Sequence, residues 1–219
     1  MKLLITTSIL CLTVCSVQAD DTSRRANVKD PELRNELLRR TKVDQDVRTA
    51  VMTWNSKRGS KDLLSAESQN AEEKAEFEKL MAEVTKTDSE NVAWLKQVVE
   101  HRGWPTKTLV GKDGANAAWL LIQHADADPK FQRTCLDLMV KLPRGEISQQ
   151  DIAYLTDRVL LAEGKKQIYG TQFTRENGEL QPRPIEDQSN VDKRRAEAGL
   201  PPLAEYAAEM AKAYGGTAK

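Results

Sequence analysis

Twice along this chain an aspartate stands directly before a proline at the head of an apolar pattern of helical period, at Asp30-Pro31 and at Asp128-Pro129. Aspartate accepts hydrogen bonds from the free amides of a first helical turn. Proline at the first position gives up only an N–H that has no partner there. Each pair therefore predicts a helix start. After the first, Leu33, Leu37, Val47 and Val51 recur near helical spacing up to about Trp54. After the second, Phe131, Cys135, Leu138 and Met139 carry a helix to about Leu142.

Between them, Asn55 to Asp62 reads as a loop. From Ser65 an Ala-, Glu- and Lys-rich stretch with Phe77, Leu80, Met81 and Val84 on one face predicts another helix. Asp88 reads as the cap of a third, with Val92, Leu95 and Val99 as its stripe and Gly103 as its end. Trp104 to Gly111 reads as a connection, and Gly114 or Ala115 as the start of a very apolar helix through Ile122. Ser148 with Asp151 has the pattern of a capping box, opening a helix that Gly164 stops.

The period then changes. Gln167 to Phe173 has strand-type residues, Asn177-Gly178 is a strong hairpin signal, and Leu180 to Ile185 is the return strand, held to an edge by Pro182 and Pro184. Helical patterns resume over Val191–Ala198 and Leu203–Ala213. The fold class expected is mainly α, a single helical domain over residues 30–214 of about seven or eight helices, with one small β-hairpin near residues 167–185. With charged residues at 30% and aromatics at 5%, the composition suits helices with solvated faces rather than a sandwich of strands.

The N-terminus reads as a secretory signal peptide. Met1-Lys2 is followed by an apolar run from Leu3 to Val14 and by Val17-Gln18-Ala19, with small residues at the cleavage positions. The run is shorter than the roughly 20 apolar residues of a spanning helix. The expectation is a secreted or periplasmic protein, cleaved after Ala19, with a flexible arm over residues 20–29 and no transmembrane segment after cleavage. A lipoprotein at Cys15 ranks below this, because Val14 is bulkier than the usual small residue there. Cleavage removes Cys11 and Cys15, so Cys135 alone cannot make an internal disulfide and the fold must hold by packing. Loss of Lys2 leaves 32 basic against 33 acidic side chains, a balance that gives no reason to expect nucleic acid as partner.

Certain polar residues interrupt apolar helical patterns. His124 follows Leu120 and Leu121 at helical spacing, so it shares their inward stripe. It is either a core histidine tied to a carboxylate or carbonyl, or a general base or a ligand. Asp157 and Arg158 lie among Leu155, Val159 and Leu161, where a charge needs a partner. The two form an ion pair, or one of them is a charge that pins the backbone of the Tyr169 segment, or Arg158 is a fork for a carboxylate or phosphate. Gln167, Tyr169, Thr171 and Gln172 crowd hydrogen-bonding groups around Gly170, as one wall of a polar pocket or as a cap on the core. His101 needs no more than its favourable place at a helix C-terminus. The run His124-Ala125-Asp126-Ala127-Asp128 lacks zinc-motif spacing, and no phosphate-binding loop, dinucleotide fingerprint or nucleophile elbow occurs, so neither a metal nor a cofactor is expected.

Several of these segments together resemble a bacterial family known only as a domain of unknown function. The first half carries Gly103-Trp104-Pro105, Leu109-Val110-Gly111, Ala118-Trp119-Leu120, Gln123-His124-Ala125-Asp126 and Phe131-Gln132. The second carries Tyr154-Leu155-Thr156-Asp157-Arg158, Gln167 to Gln172, Pro184-Ile185-Glu186-Asp187, Val191-Asp192, Arg194-Arg195 and Gly199-Leu200. The resemblance implies a fold and a place to look, and no chemistry. Three functions stay open: a binding module gripping a small polar or anionic ligand or a peptide, through Arg158, Gln167, Tyr169, Thr171 and Gln172; a hydrolase or lyase with His124 as base and Asp157 as its orienter; and a structural or interaction protein.

Overall fold

Helix α1 (Pro31–Lys57) starts where the first Asp-Pro pair places it, and the Asp30 carboxylate accepts the Leu33 amide at 2.9 Å. In the computed structural model, which describes residues 28–57, 70–176 and 179–214, the signal peptide, most of the arm, the Ser65 helix start and the Asn177-Gly178 turn lie outside the described residues. The buried face of α1 is Leu33, Leu37, Asp44, Arg48, Val51 and Trp54. Val47, expected on the inward stripe, is half-buried, and two charged residues occupy that stripe instead.

Helix α2 (Ala71–Arg102) corrects the sequence reading. It runs unbroken for 32 residues through Asp88, which caps nothing. No Gly or Pro interrupts the segment, and the buried row Thr87, Asn91, Leu95 and Val98 continues at helical spacing across the supposed boundary. Its true N-cap is Asn70, in a reciprocal capping box with Glu73. It ends at Gly103, whose φ of 72° few other residues adopt.

Helix α3 (Lys107–Gln123) begins earlier than expected. The Thr106 hydroxyl accepts the Leu109 amide at 3.3 Å and starts a short turn before the chain breaks at Gly111. The apolar part that follows is buried almost all round, from Ala115 to Ile122. Helices α1, α2 and α3 pack against one another, and Arg34 on α1 pairs with Asp113 on α3. These elements form one compact unit, from Asn27 to Phe131.

A second compact unit takes in the chain from Gln132 onward. Helix α4 (Pro129–Met139) starts in the first unit at the second Asp-Pro pair, with the Phe131 amide 3.0 Å from Asp128 Oδ1. It ends three residues before the expected Leu142. Helix α5 (Gln149–Ala162) has Ser148 at its N-cap without a side-chain capping bond, so the expected capping box does not form. Strands β1 (Phe173–Glu176) and β2 (Glu179–Pro182) pair antiparallel, Phe173 facing Pro182. Helices α6 (Val191–Glu197) and α7 (Leu203–Tyr214) fall where the sequence places them. α7 packs on β2, and Tyr206 meets Phe173 and Tyr154 edge-on. The described residues thus give a mainly α chain of seven helices and one hairpin. No helix among them is long and apolar enough to cross a membrane.

Candidate functional site

Residues 168–172 are a loop rather than the strand that the sequence predicts, and Gln167 makes only an isolated bridge to Ile185. The cause is Asp157. From the buried face of α5 its carboxylate accepts the amides of Ile168 (2.8 Å), Tyr169 (3.0 Å) and Thr171 (2.9 Å), and the Thr171 hydroxyl at 2.9 Å. Amides turned toward one carboxylate cannot also join a strand ladder. Burial pushes the Asp157 carboxyl up, and these four donors pull it back. Amides can only donate, so the arrangement suits the ionised form.

Gln167 and the loop's carbonyls are engaged in the same joint. Gln167, fully buried, donates through Nε2 to the carbonyls of Gln172 and Arg183 and accepts the Gln172 amide at 2.9 Å. Arg194 Nε donates to the Ile168 carbonyl at 2.8 Å. The buried Arg195 donates to the carbonyls of Tyr169 and Pro201, each at 2.6 Å, and lies over the Tyr206 ring. Gly170 has φ +70°, and a Cβ there would lie 2.9 Å from both Ile185 Cδ1 and Leu203 Cδ1. Arg158 is buried, like Asp157. This is the geometry of a helix-to-hairpin joint built from backbone contacts.

His124 belongs to a different set of groups. It is the C-cap residue of α3 and is buried. Its Nδ1 lies 2.9 and 3.0 Å from the two oxygens of Asp44, and Arg48 Nε points at the same nitrogen from 3.0 Å. The other arm of Arg48 donates from Nη2 to Asp88 Oδ1 at 2.8 Å. Asp44, also met by the Gln45 amide, is fully buried. Burial would raise its carboxyl, but the hydrogen bond and charge of His124, with Arg48 and Gln45, hold it below the usual carboxylate range. Burial pushes the Asp88 carboxyl up to about 7, with Arg48 opposing and the negative neighbours Asp44 and Asp126 adding to the rise. Asp44, Asp88 and His124 each offer a ligand atom within 4.8 Å of the others.

The Asp88 shift has a sign that can be checked. From about pH 4 to about pH 7 the folded chain keeps a proton that the unfolded chain has lost. The Asp88 contribution to stability therefore falls as pH rises through that window and is flat above it. About 1–2 kcal/mol is expected, less than roughly 1.4 kcal/mol per unit would give, because solvent reaches the group. Urea midpoints at about pH 5 and about pH 8, in chelating buffer, should show wild type losing stability relative to Asp88→Asn. Parallel behaviour of the two would contradict the assignment.

The model of a family of unknown function, DUF6624, matches residues 31–219. The chain belongs to the DUF6624 family. No curated protein and no solved structure matches it. The DUF6624 match begins at Pro31, the first residue of α1, so it takes in Asp44, Arg48 and Asp88 as well as His124. Of these four, only His124 stands out in the sequence as a candidate. Asp44 and Arg48 carried a signal, since they continue the stripe of Leu33, Leu37 and Val51 at helical spacing. Asp88 was hidden by its local likeness to a cap. The carboxylate that meets His124 in this DUF6624 chain is Asp44, where Asp157 was the expected orienter.

Proposed function

We propose that the mature chain is an exported binding protein for a small polar or anionic ligand or a peptide, and that its working centre is the cluster of Asp44, Arg48, Asp88 and His124. The observation that carries this is the convergence of four ionisable side chains, from three helices, in the interior of the first unit. Apolar residues of similar volume would stabilise a helical core as well or better, so such a cluster calls for another use. Strongly perturbed carboxyls gather at functional sites for the same reason. The cluster reaches solvent through Asp88, whose side chain is 21% exposed. Arg48 supplies the planar donors that suit a carboxylate or phosphate. Export rests on the leader pattern of residues 1–19. The balanced charge supports neither nucleic acid nor an anionic surface as partner.

One observation favours a second reading, a hydrolase or lyase with His124 as general base. Asp44 lies at hydrogen-bonding distance from Nδ1, the arrangement in which a carboxylate orients an imidazole. The loop around Asp157 supports only the structural role.

Thermal-shift screening of the mature chain with small carboxylic acids, phosphate and short peptides tests the binding reading. A ligand present at one hundred times its Kd stabilises by about 2.7 kcal/mol. A stabiliser is expected whose effect is lost in Arg48→Lys and kept in Gln172→Ala. The reverse pattern would move the site to the 167–172 loop, and silence across the panel would overturn the reading.

A further inference from the structure

The hydrogen-bonding demands on His124 Nδ1 conflict. A ring nitrogen carries either a proton or a lone pair. Arg48 Nε–H, aimed at it from 3.0 Å, requires the lone pair. The two Asp44 oxygens, at 2.9 and 3.0 Å, require the proton. With the lone pair present, the nitrogen and the carboxylate face each other as two electron-pair donors. Two such donors share a position readily when a cation lies between them. Ligand atoms bound at about 2.0–2.2 Å stand about 2.8–3.6 Å apart at angles from right to tetrahedral, and the 2.9 and 3.0 Å between Nδ1 and the Asp44 oxygens lie within that range, while the Asp88 oxygen lies within 4.8 Å of them.

We propose that Asp44, Asp88 and His124 form a binding site for a divalent transition-metal ion, with Arg48 as a built-in competitor for the same ligands. This rests on the reading of the cluster as the working centre. The three ligands come from α1, α2 and the end of α3, so the packing of the helices, not a sequence motif, would assemble them. One imidazole nitrogen with two carboxylates suits zinc, manganese or ferrous iron better than calcium, which takes oxygen alone. Three protein ligands leave a position for water or for the anionic ligand proposed above.

A second feature lies one turn along α2. Asn91 lies one turn beyond Asp88 on the buried face of α2 and is 5% exposed. Its Oδ1 accepts from Arg40 at 3.2 Å, but its Nδ2 finds no partner among the described residues. A buried amide donor of this kind calls for an acceptor, such as a water or a ligand oxygen. Arg48, long and 10% exposed in its side chain, can withdraw along its aliphatic stem when a metal takes its place.

Calorimetric titration of the chelator-treated mature chain with zinc, manganese and calcium ions tests the site. One zinc or manganese ion per chain is expected, with calcium much weaker. Asp88→Asn should weaken binding at least tenfold, and the exposed His101→Gln should leave it unchanged. Arg48→Met should tighten it at least tenfold, because the competing cation is gone. An affinity indifferent to Arg48→Met, or one that follows His101, would overturn the proposal. Should the variants fail to fold, imidazole nitrogen resonances of the wild type still decide, since the chain has only two histidines. A zinc-induced shift at His124 Nδ1 supports the site, and a shift at His101 alone, or none, overturns it. A small acid that stabilises the chain in chelating buffer through Arg48, with no metal bound, defeats this inference and leaves the binding reading standing. Silence to both defeats both.

Discussion

Replacing Asp157 by alanine is expected to cost about 3–5 kcal/mol, a large part of the roughly 5–15 kcal/mol that holds a domain folded. The carboxylate satisfies three backbone amides and one hydroxyl of the 168–171 segment at once. Alanine would leave those donors without an acceptor where Thr171 is buried and Asp157 is fully so. Each unmet buried donor costs about 1–3 kcal/mol, reduced where water can enter. Asparagine keeps one oxygen but turns an N–H₂ toward amides that also donate, so it should fall between alanine and wild type. Urea denaturation measures both variants. A loss below about 1 kcal/mol for alanine would show that the loop holds its shape by other means.

Gly170→Ala is expected to cost about 2–4 kcal/mol through two separate effects. The first is backbone. At φ +70° a side chain meets its own carbonyl, at about 1–2 kcal/mol. The second is packing, because the new methyl would press on Ile185 and Leu203, which already approach to 2.9 Å of its position. Overpacking of this kind costs about 1–3 kcal/mol. Gly145, also at positive φ but with nothing near its Cβ position, provides the control, since Gly145→Ala should pay the backbone term alone. Equal losses at the two positions would remove the packing contribution.

Much of the helix pattern was legible because its signals are local. Asp30-Pro31, Asp128-Pro129, Gly103 and Gly164 act through the amides and dihedrals of their own turns, and each marks an end seen in the structure. Asp88 shows where local reasoning fails. An aspartate in a charged helical run looks like a cap, and what decides otherwise is Arg48, forty residues earlier. Segment 167–172 fails the same way. Its Ile, Tyr and Thr favour a strand on a pleated surface, yet a carboxylate eleven and twelve residues upstream takes the amides that a ladder would need. His124 and Asp157 were both visible as polar residues on apolar helices. For Asp157 the sequence also offered its role, a charge that pins the backbone of the Tyr169 segment. The partner of His124 was not legible, because Asp44 lies eighty residues away and periodicity says which face a residue occupies, never what it meets.

The loop around Gly170 is gripped from both sides by main-chain contacts, amides to Asp157 and carbonyls to Arg194 and Arg195. A grip on the backbone is blind to side-chain identity. Part of the instruction for the loop's shape is therefore written outside it, in α5 and α6, beside what Gln167, Gly170 and Thr171 supply from within, and the side chains of Ile168 and Tyr169 carry less of it. Two family members with unlike residues there can share one loop conformation. Two with alike residues, but a different group at position 157, need not.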